Sequence, residues 1–376
     1  MIRIGIECES IEDNSWGIGR VLTNLLQELS ARSGELSKEF EFVLFFKSHV
    51  PNYSYLSSSL FKKTLLRLPL QPFSSFSLYY YIFLPLYLLF KPVDVIFLPN
   101  YMLPFGINTK TLVILTEDVY KEIHSSAQKT RYRLAYSIFA NHAARGATKI
   151  MTISISSAIN VSRVFNIKLG RIVINQLGVR KPMKIEEGKK IYRGKYILSV
   201  SQAFPRRHLK ESIDAFESIA GDFPGLKFII IGADKYDPPI IEDIKNIVNQ
   251  RLGYEAIIHK EYVTDEELAL LYSGASAVIY ISFHEAFGLP PLEGLTYGAV
   301  PVVADTDITR EIFGPEGFYV ETPHRSDVIA QIIREALLNS EKKEMIKSMI
   351  PKILEKYSWG AHTDRFIDII RSIAKS

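Results

Sequence analysis

What most constrains this chain is a pattern of short apolar runs separated by stretches of helical length, and the pattern occurs twice. Ile2-Arg3-Ile4-Gly5-Ile6 opens as a strand, and Val21 to Leu29 follows with Val21, Leu22, Leu25, Leu26 and Leu29 at helical spacing. Phe42 to Phe46, Val93 to Leu98, Leu112 to Leu115 and Ile150 to Ile155 read as further strands, and Ile172 to Ile174 as the last of this half. After Gly178, Lys181-Pro182 and the charged run Lys184 to Lys190 mark a linker. The pattern then restarts. Tyr196 to Ser201, Lys227 to Ile231, Ala256 to Ile258, Ala277 to Ile281 and Val300 to Ala304 read as strands. Leu209 to Ile219, Glu266 to Tyr272 and Pro291 to Tyr297 read as helices. Strands that alternate with helices must run parallel, so the expectation is an α/β protein of two doubly wound, Rossmann-like sheets facing a shared cleft.

Length agrees, because 376 residues exceed one ordinary core. The expected domains are 1–182 and 183–357, with a last helix, 358–376, crossing back to the first. A net charge of +4 suits an anionic ligand or membrane surface and is too weak to argue for nucleic acid. The lone Cys8 excludes an intrachain disulfide and a multi-cysteine zinc site, and a reducing cytoplasm fits. The chain starts directly on a strand with no leader pattern, so a cytoplasmic location is expected. Leu78 to Phe90, LYYYIFLPLYLLF, is shorter than the ~20 residues that span a bilayer. It reads as a buried helix or strand, or as a surface that touches the inner face of a membrane.

The stretch Ser282 to Pro301, SFHEAFGLPPLEGLTYGAVP, carries the chemistry. Glu285 and Glu293 flank seven residues that include Gly288, Pro290 and Pro291. Prolines fit the first turn of a helix, so a loop should end near Leu289, a helix should begin near Pro290 or Pro291, and Gly298 should stop it. Phe287, Gly288 and Leu289 then offer backbone N–H groups ahead of a helix N-terminus, a site for phosphate. Glu293, in the first turn, can accept from a vicinal diol such as a ribose. Glu285, at the strand exit, can stabilise positive charge developing at an anomeric carbon.

This stretch resembles the signature of glycosyltransferase family 4, retaining enzymes of the two-domain GT-B architecture. Its E-x7-E pattern with F-G-L-P inside is matched from Glu285 to Glu293, and the likeness is strongest from Tyr196 to Gly314. Tyr196 to Phe216 resembles the element that ends in a basic P-R-K-N-type loop, which implies that Arg206 and Arg207 hold the donor diphosphate. Two guanidiniums and a helix N-terminus can neutralise a departing nucleoside diphosphate without a metal. Arg207 stands for the usual lysine of that loop, His208 for a common asparagine and Gln202 for an arginine.

Gly17-Ile18-Gly19-Arg20 resembles the N-terminal glycine loop, so Gly17 and Gly19 are expected near donor phosphates and acceptor. Leu115 to Val119 resembles a strand end that carries His-Asp. Asp118 is kept as a candidate catalytic residue, and Glu117 replaces the histidine. Thr264 with Glu267 reads as a capping box.

The resemblance implies a retaining transfer of a sugar from a GDP- or UDP-linked donor to a glycan or lipid-linked acceptor, in cell-surface polysaccharide or lipopolysaccharide synthesis. The P-R-K-N-type loop favours GDP-mannose. No metal or other cofactor is expected. Three other readings stay open. A nicotinamide enzyme lacks its G-x-G-x-x-G fingerprint after Ile6 and after Val200. A non-catalytic nucleotide-sugar-binding partner is motivated by Glu117 and Gln202. A sugar-nucleotide epimerase or phosphorylase would share the architecture.

Overall fold

The computed structural model describes residues 1–13, 17–66, 76–117, 130–186, 188–282, 285–322 and 325–376. They form two compact units, Met1–Gly178 with Trp359–Ser376, and Val179–Ser358. The chain leaves the first unit at Gly178, just before the Lys181-Pro182 step.

Among the described residues the first unit holds a seven-stranded sheet. Its strands are β1 (Ile2–Glu7), β2 (Phe40–Phe46), β3 (Phe61–Leu65), β4 (Val95–Leu98), β5 (Lys110–Ile114), β6 (Lys149–Thr152) and β7 (Ile172–Ile174). Their order is β3-β2-β1-β4-β5-β6-β7 and every pair is parallel. The strand expected over Ile150 to Ile155 ends earlier. Ser154 accepts a hydrogen bond from the Ser157 amide and caps a helix that starts at Ile155. Strand β3 escapes a reading by apolar runs because Lys62 and Lys63 fill its centre, as charges do on a sheet edge.

Helices cover both faces of this sheet. On one face, α1 (Ile18–Ala31) buries Leu22, Leu25, Leu26 and Leu29. The terminal helix, Trp359–Lys375, adds Phe366, Ile367, Ile370 and Ile373 to the same cluster. Each fully buried leucine or isoleucine is worth about 2 kcal/mol of transfer free energy. His362 of that helix is fully buried: its Nδ1–H donates to the Gln176 carbonyl, and burial pushes its pKa down to about 4. On the other face, among the described residues, lie three helices. The first, α2, runs as Phe76–Leu78, a π-helical turn Tyr79–Phe83 and Leu84–Phe90. The others are α3 (Thr130–Gly146) and α4 (Ile155–Phe165). Thus Leu78 to Phe90 is a helix, and only part of it is buried.

The second unit holds β8 (Tyr196–Val200), β9 (Lys227–Ile231), β10 (Ile257–Lys260), β11 (Ala277–Tyr280), β12 (Val300–Ala304) and β13 (Phe318–Val320). The order is β10-β9-β8-β11-β12-β13, again all parallel. In both sheets the strand order reverses once, at β1/β4 and at β8/β11. Ligands of such sheets sit beyond the carboxyl ends of the strands at that reversal. Helix α5 (Leu209–Ile219) follows β8, and α6 (Leu289–Thr296) follows β11. Between β10 and β11, the helix Asp265–Gly274 begins with the expected capping box of Thr264 and Glu267.

Candidate active site

In the second unit, the loops after β8 and β11 bring the predicted residues together. The loop after β8 is clipped to the one after β9, where the Ala203 amide donates to the Ala233 carbonyl at 2.9 Å. Gly232 permits this close approach: it has φ 136°, and a Cβ there would lie 1.9 Å from the Ser201 carbonyl oxygen. The loop then makes a 3-10 turn, Pro205–Arg207, and turns into α5 through His208 at φ 46°. That left-handed conformation suits asparagine and tolerates histidine, which accounts for His208 at this position.

Arg207 is thereby aimed at Glu285. Its Nε donates to Glu285 Oε1 at 3.1 Å, and a terminal nitrogen lies 3.0 Å from the same oxygen. The other terminal nitrogen donates to the Gln202 carbonyl at 3.0 Å. Ser282 Oγ also donates to Glu285 Oε1, at 2.9 Å. Both charged side chains are 16% exposed, so the pair is shielded yet reachable. The Arg206 guanidinium lies 4.5 Å from the Phe204 ring centre, and that of Arg207 lies 5.5 Å from the Tyr280 ring centre. Burial pushes the Tyr280 hydroxyl well above the ordinary tyrosine range, and the Glu285 charge adds to it.

Phe287 is buried against Tyr357 and fixes the start of α6. Gly288 stands at the N-cap with φ 90°, a conformation L side chains rarely adopt. The helix begins at Leu289, one residue before the expected Pro290, because the N–H that proline lacks is a free end group in the first turn. This corrects the place of Glu293. It is the fifth residue of α6, one turn beyond the expected first turn. Its carboxylate accepts from the Tyr272 hydroxyl at 3.4 Å. Gly298, with φ 92°, follows the helix end as expected.

In the first unit, Gly17 stands at the N-cap of α1, with no described residue within 4 Å of where a Cβ would be, and Gly19 is buried in the first turn. Asp118 lies outside the described residues. Its neighbour Glu117 is buried, and it accepts from Ser157 Oγ at 2.5 Å and from Asn160 Nδ2 at 3.1 Å. Sequence reasoning did not single out Glu7, which ends β1 at the strand reversal. Glu7 is fully buried and accepts from the Glu9 amide at 2.8 Å, the Tyr79 hydroxyl at 3.0 Å and Asn100 Nδ2 at 3.4 Å. Burial pushes its pKa up to about 7. Reading also missed Ser282, Tyr280 and Tyr272. Ser282, three residues before Glu285 in the motif itself, was the one with a local signal. Among the described residues, no group of three His, Cys, Asp or Glu side chains could hold a metal ion, and no helix is long and apolar enough to cross a membrane.

Residues 182–352 match the family model described as glycosyl transferases group 1. The serotype-specific mannosyltransferase WbdA of Escherichia coli is 26% identical over 166 residues, 44% of this chain and 20% of that protein. The O-antigen chain mannosyltransferase B of Escherichia coli is 25% identical over 236 residues, 59% of this chain and 60% of its own. The matches thus span from a fifth to about three-fifths of these relatives. Among solved structures, WaaG, a glycosyltransferase involved in lipopolysaccharide biosynthesis, matches with TM-score 0.70 and 16% identity over 98% of this chain and 99% of that one. HepE of Anabaena in complex with UDP-glucose matches with TM-score 0.72 and 15% identity over 99% and 100%. These likenesses show the fold: two parallel-sheet, Rossmann-like domains of the GT-B kind.

Proposed function

We propose that the chain transfers a sugar from a nucleoside diphosphate sugar to a glycan or lipid-linked glycan acceptor, in cell-surface polysaccharide synthesis, a reading supported by the match of residues 182–352 to the family model described as glycosyl transferases group 1. The observation that carries this reading is the placement of Arg207 and Glu285 side by side at the strand reversal of the second unit, next to the N-terminus of α6.

In this reading the diphosphate docks on Arg206, Arg207 and the amides of Phe287, Gly288 and Leu289, and needs no metal. Glu293, one turn into α6, meets the ribose diol. The bond from the anomeric carbon to the phosphate oxygen breaks as a bond to the acceptor oxygen forms on the same face. The leaving phosphate takes the acceptor proton, and the configuration is retained. Glu285 supports the positive charge that develops at the anomeric carbon, while Arg207 moves its charge toward the leaving diphosphate. The acceptor binds on the first unit near Gly17, Gly19 and Asp118. Mannose, carried by GDP, is the sugar favoured by the loop type at Arg206 and Arg207, and by relatives that are mannosyltransferases.

The test is a transfer assay. GDP-mannose and a panel of UDP-sugars are incubated with the protein and a lipid-linked glycan extract, and the product's new linkage is read by NMR. An axial linkage from an axial donor supports retention. Release of free sugar from every donor with no transfer sinks the transferase reading. Tight nucleotide binding without turnover favours the binding-only partner suggested by Glu117.

A further inference from the structure

We propose that the outer face of α2 and α3, in the first unit, docks onto an anionic lipid bilayer. The inference does not rest on the reaction assigned above. A helix on the surface of a soluble unit ordinarily turns polar side chains to water. The terminal helix does so: its exposed residues are Asp364, Asp368, Ser372 and Lys375. On α2 the exposed residues after Ser77 are Ile82, Leu86, Leu89 and Phe90. Leu89 is 71% and Phe90 79% exposed. No charged residue occurs from 68 to 90.

The apolar face continues beyond α2. Tyr81 stacks on Phe139 of α3 at 5.3 Å and lies 5.5 Å from Phe105. Leu134 and Ile138, one turn apart on α3, are also exposed, as is Phe105. Contiguous exposed apolar surface of this kind marks an interaction site.

Charge decides between the occupants. Met1–Gly178 with Trp359–Ser376 carry 22 Lys and Arg against 14 Asp and Glu, whereas Val179–Ser358 carry 23 against 27. Residues 61–149, the stretch of sequence that includes the apolar face, hold 11 basic against 4 acidic side chains. Lys91 follows Phe90 directly, with its Nζ 5.7 Å from the Tyr87 ring centre. A second copy of the same basic unit would be repelled. An anionic surface would be attracted, with the apolar side chains entering the headgroup boundary. The buried side of α2 gives docking a purpose. Tyr79 donates to Glu7, and the Tyr80 hydroxyl lies 3.1 Å from Asn100 Oδ1, so the docking helix is bonded to the carboxyl ends of β1 and β4.

The test is co-sedimentation of the full chain with vesicles of phosphatidylcholine alone, and of an equal mixture with phosphatidylglycerol, at low and high salt. The wild type should bind the anionic vesicles, and binding should weaken with salt. The L89E/F90E double variant should lose at least about tenfold in partitioning. L169E, at another exposed apolar residue (57% exposed) of the same unit, should bind as the wild type does. Circular dichroism checks that the variants fold. Failure of the wild type to bind anionic vesicles at low salt overturns the proposal, as does equal binding by L89E/F90E. Self-association in sedimentation velocity that L89E/F90E abolishes, without vesicle binding, overturns it in favour of a second copy.

Discussion

The two strand reversals, β1/β4 and β8/β11, occupy equivalent places in two sheets that share the order of six strands, β7 being added to the first, yet they hold opposite chemistry. At β8/β11, a guanidinium and a carboxylate pair at 3.0 Å while keeping some exposure, and further donors surround them. At β1/β4, Glu7 is sealed off among neutral partners, Tyr79 and Asn100. The first unit is the more basic overall, yet among the described residues the partners of its reversal carboxylate are the Glu9 amide, Tyr79 and Asn100, with no cation paired to it. The fold therefore dictates where a ligand can bind, and the local residues dictate what charge that ligand carries.

The largest effect should come from removing the cation at β8/β11. Arg207→Ala is expected to lower kcat/KM by about 10²–10³, the usual loss for one group that stabilises transition-state charge. Initial rates on a donor that turns over will show it, and Arg207→Lys should fall between. If Arg207→Ala stays within a few-fold of wild type, the contrast between the two reversals has no catalytic meaning.

Next comes the carboxylate of the first unit. Glu7 has its pKa raised from 4.5 to about 7. The folded state therefore binds its proton more tightly than the unfolded chain does. That contribution is complete below about 4.5 and is lost as pH rises through about 7. It amounts to at most about 3 kcal/mol. Glu7→Gln should remove this pH dependence and be more stable than wild type at pH values well above 7. Urea titrations across the pH range measure it, and parallel curves for the two proteins would show that Glu7 is not sealed off.

A smaller effect is expected at Glu293. Glu293→Ala should weaken nucleotide binding by about 1.5–3 kcal/mol, the worth of a hydrogen bond to a charged group. A 2′-deoxy nucleotide should lose affinity for the wild type but not for the variant. Calorimetry of the four combinations gives the coupling, and zero coupling would take the ribose away from Glu293. Last, Gly288→Ala should cost about 1 kcal/mol through its positive φ, read as a lower melting temperature.

Much of the frame was legible from sequence because parallel strands buried on both faces are short apolar runs, as Phe42 to Phe46 and Val300 to Ala304 show. Exceptions have local causes: Lys62 and Lys63 break the apolar signal of β3, and Ser154 ends β6 by capping the next helix. Within the site, Glu285, Gly288 and Glu293 were readable because one loop and helix carry them all. The pairing of Glu285 with Arg207 was not, since 78 residues separate them and only the sheet makes them neighbours. Glu7 gave no signal at all. A glutamate at the end of a strand becomes a sealed carboxylate only when Tyr79, from a distant helix, closes over it.

The most direct test of the central claim, that the β8/β11 reversal binds a nucleoside diphosphate, is a thermal-shift panel. GDP, UDP, ADP, dTDP and their common sugars are compared on wild type, Arg207→Ala and Glu293→Ala. One nucleotide family should raise the wild-type melting temperature, by an amount equivalent to about 2.7 kcal/mol at a hundredfold excess over Kd. The shift should vanish in Arg207→Ala and shrink in Glu293→Ala. No response to any nucleotide, or a shift unchanged in both variants, would contradict the account.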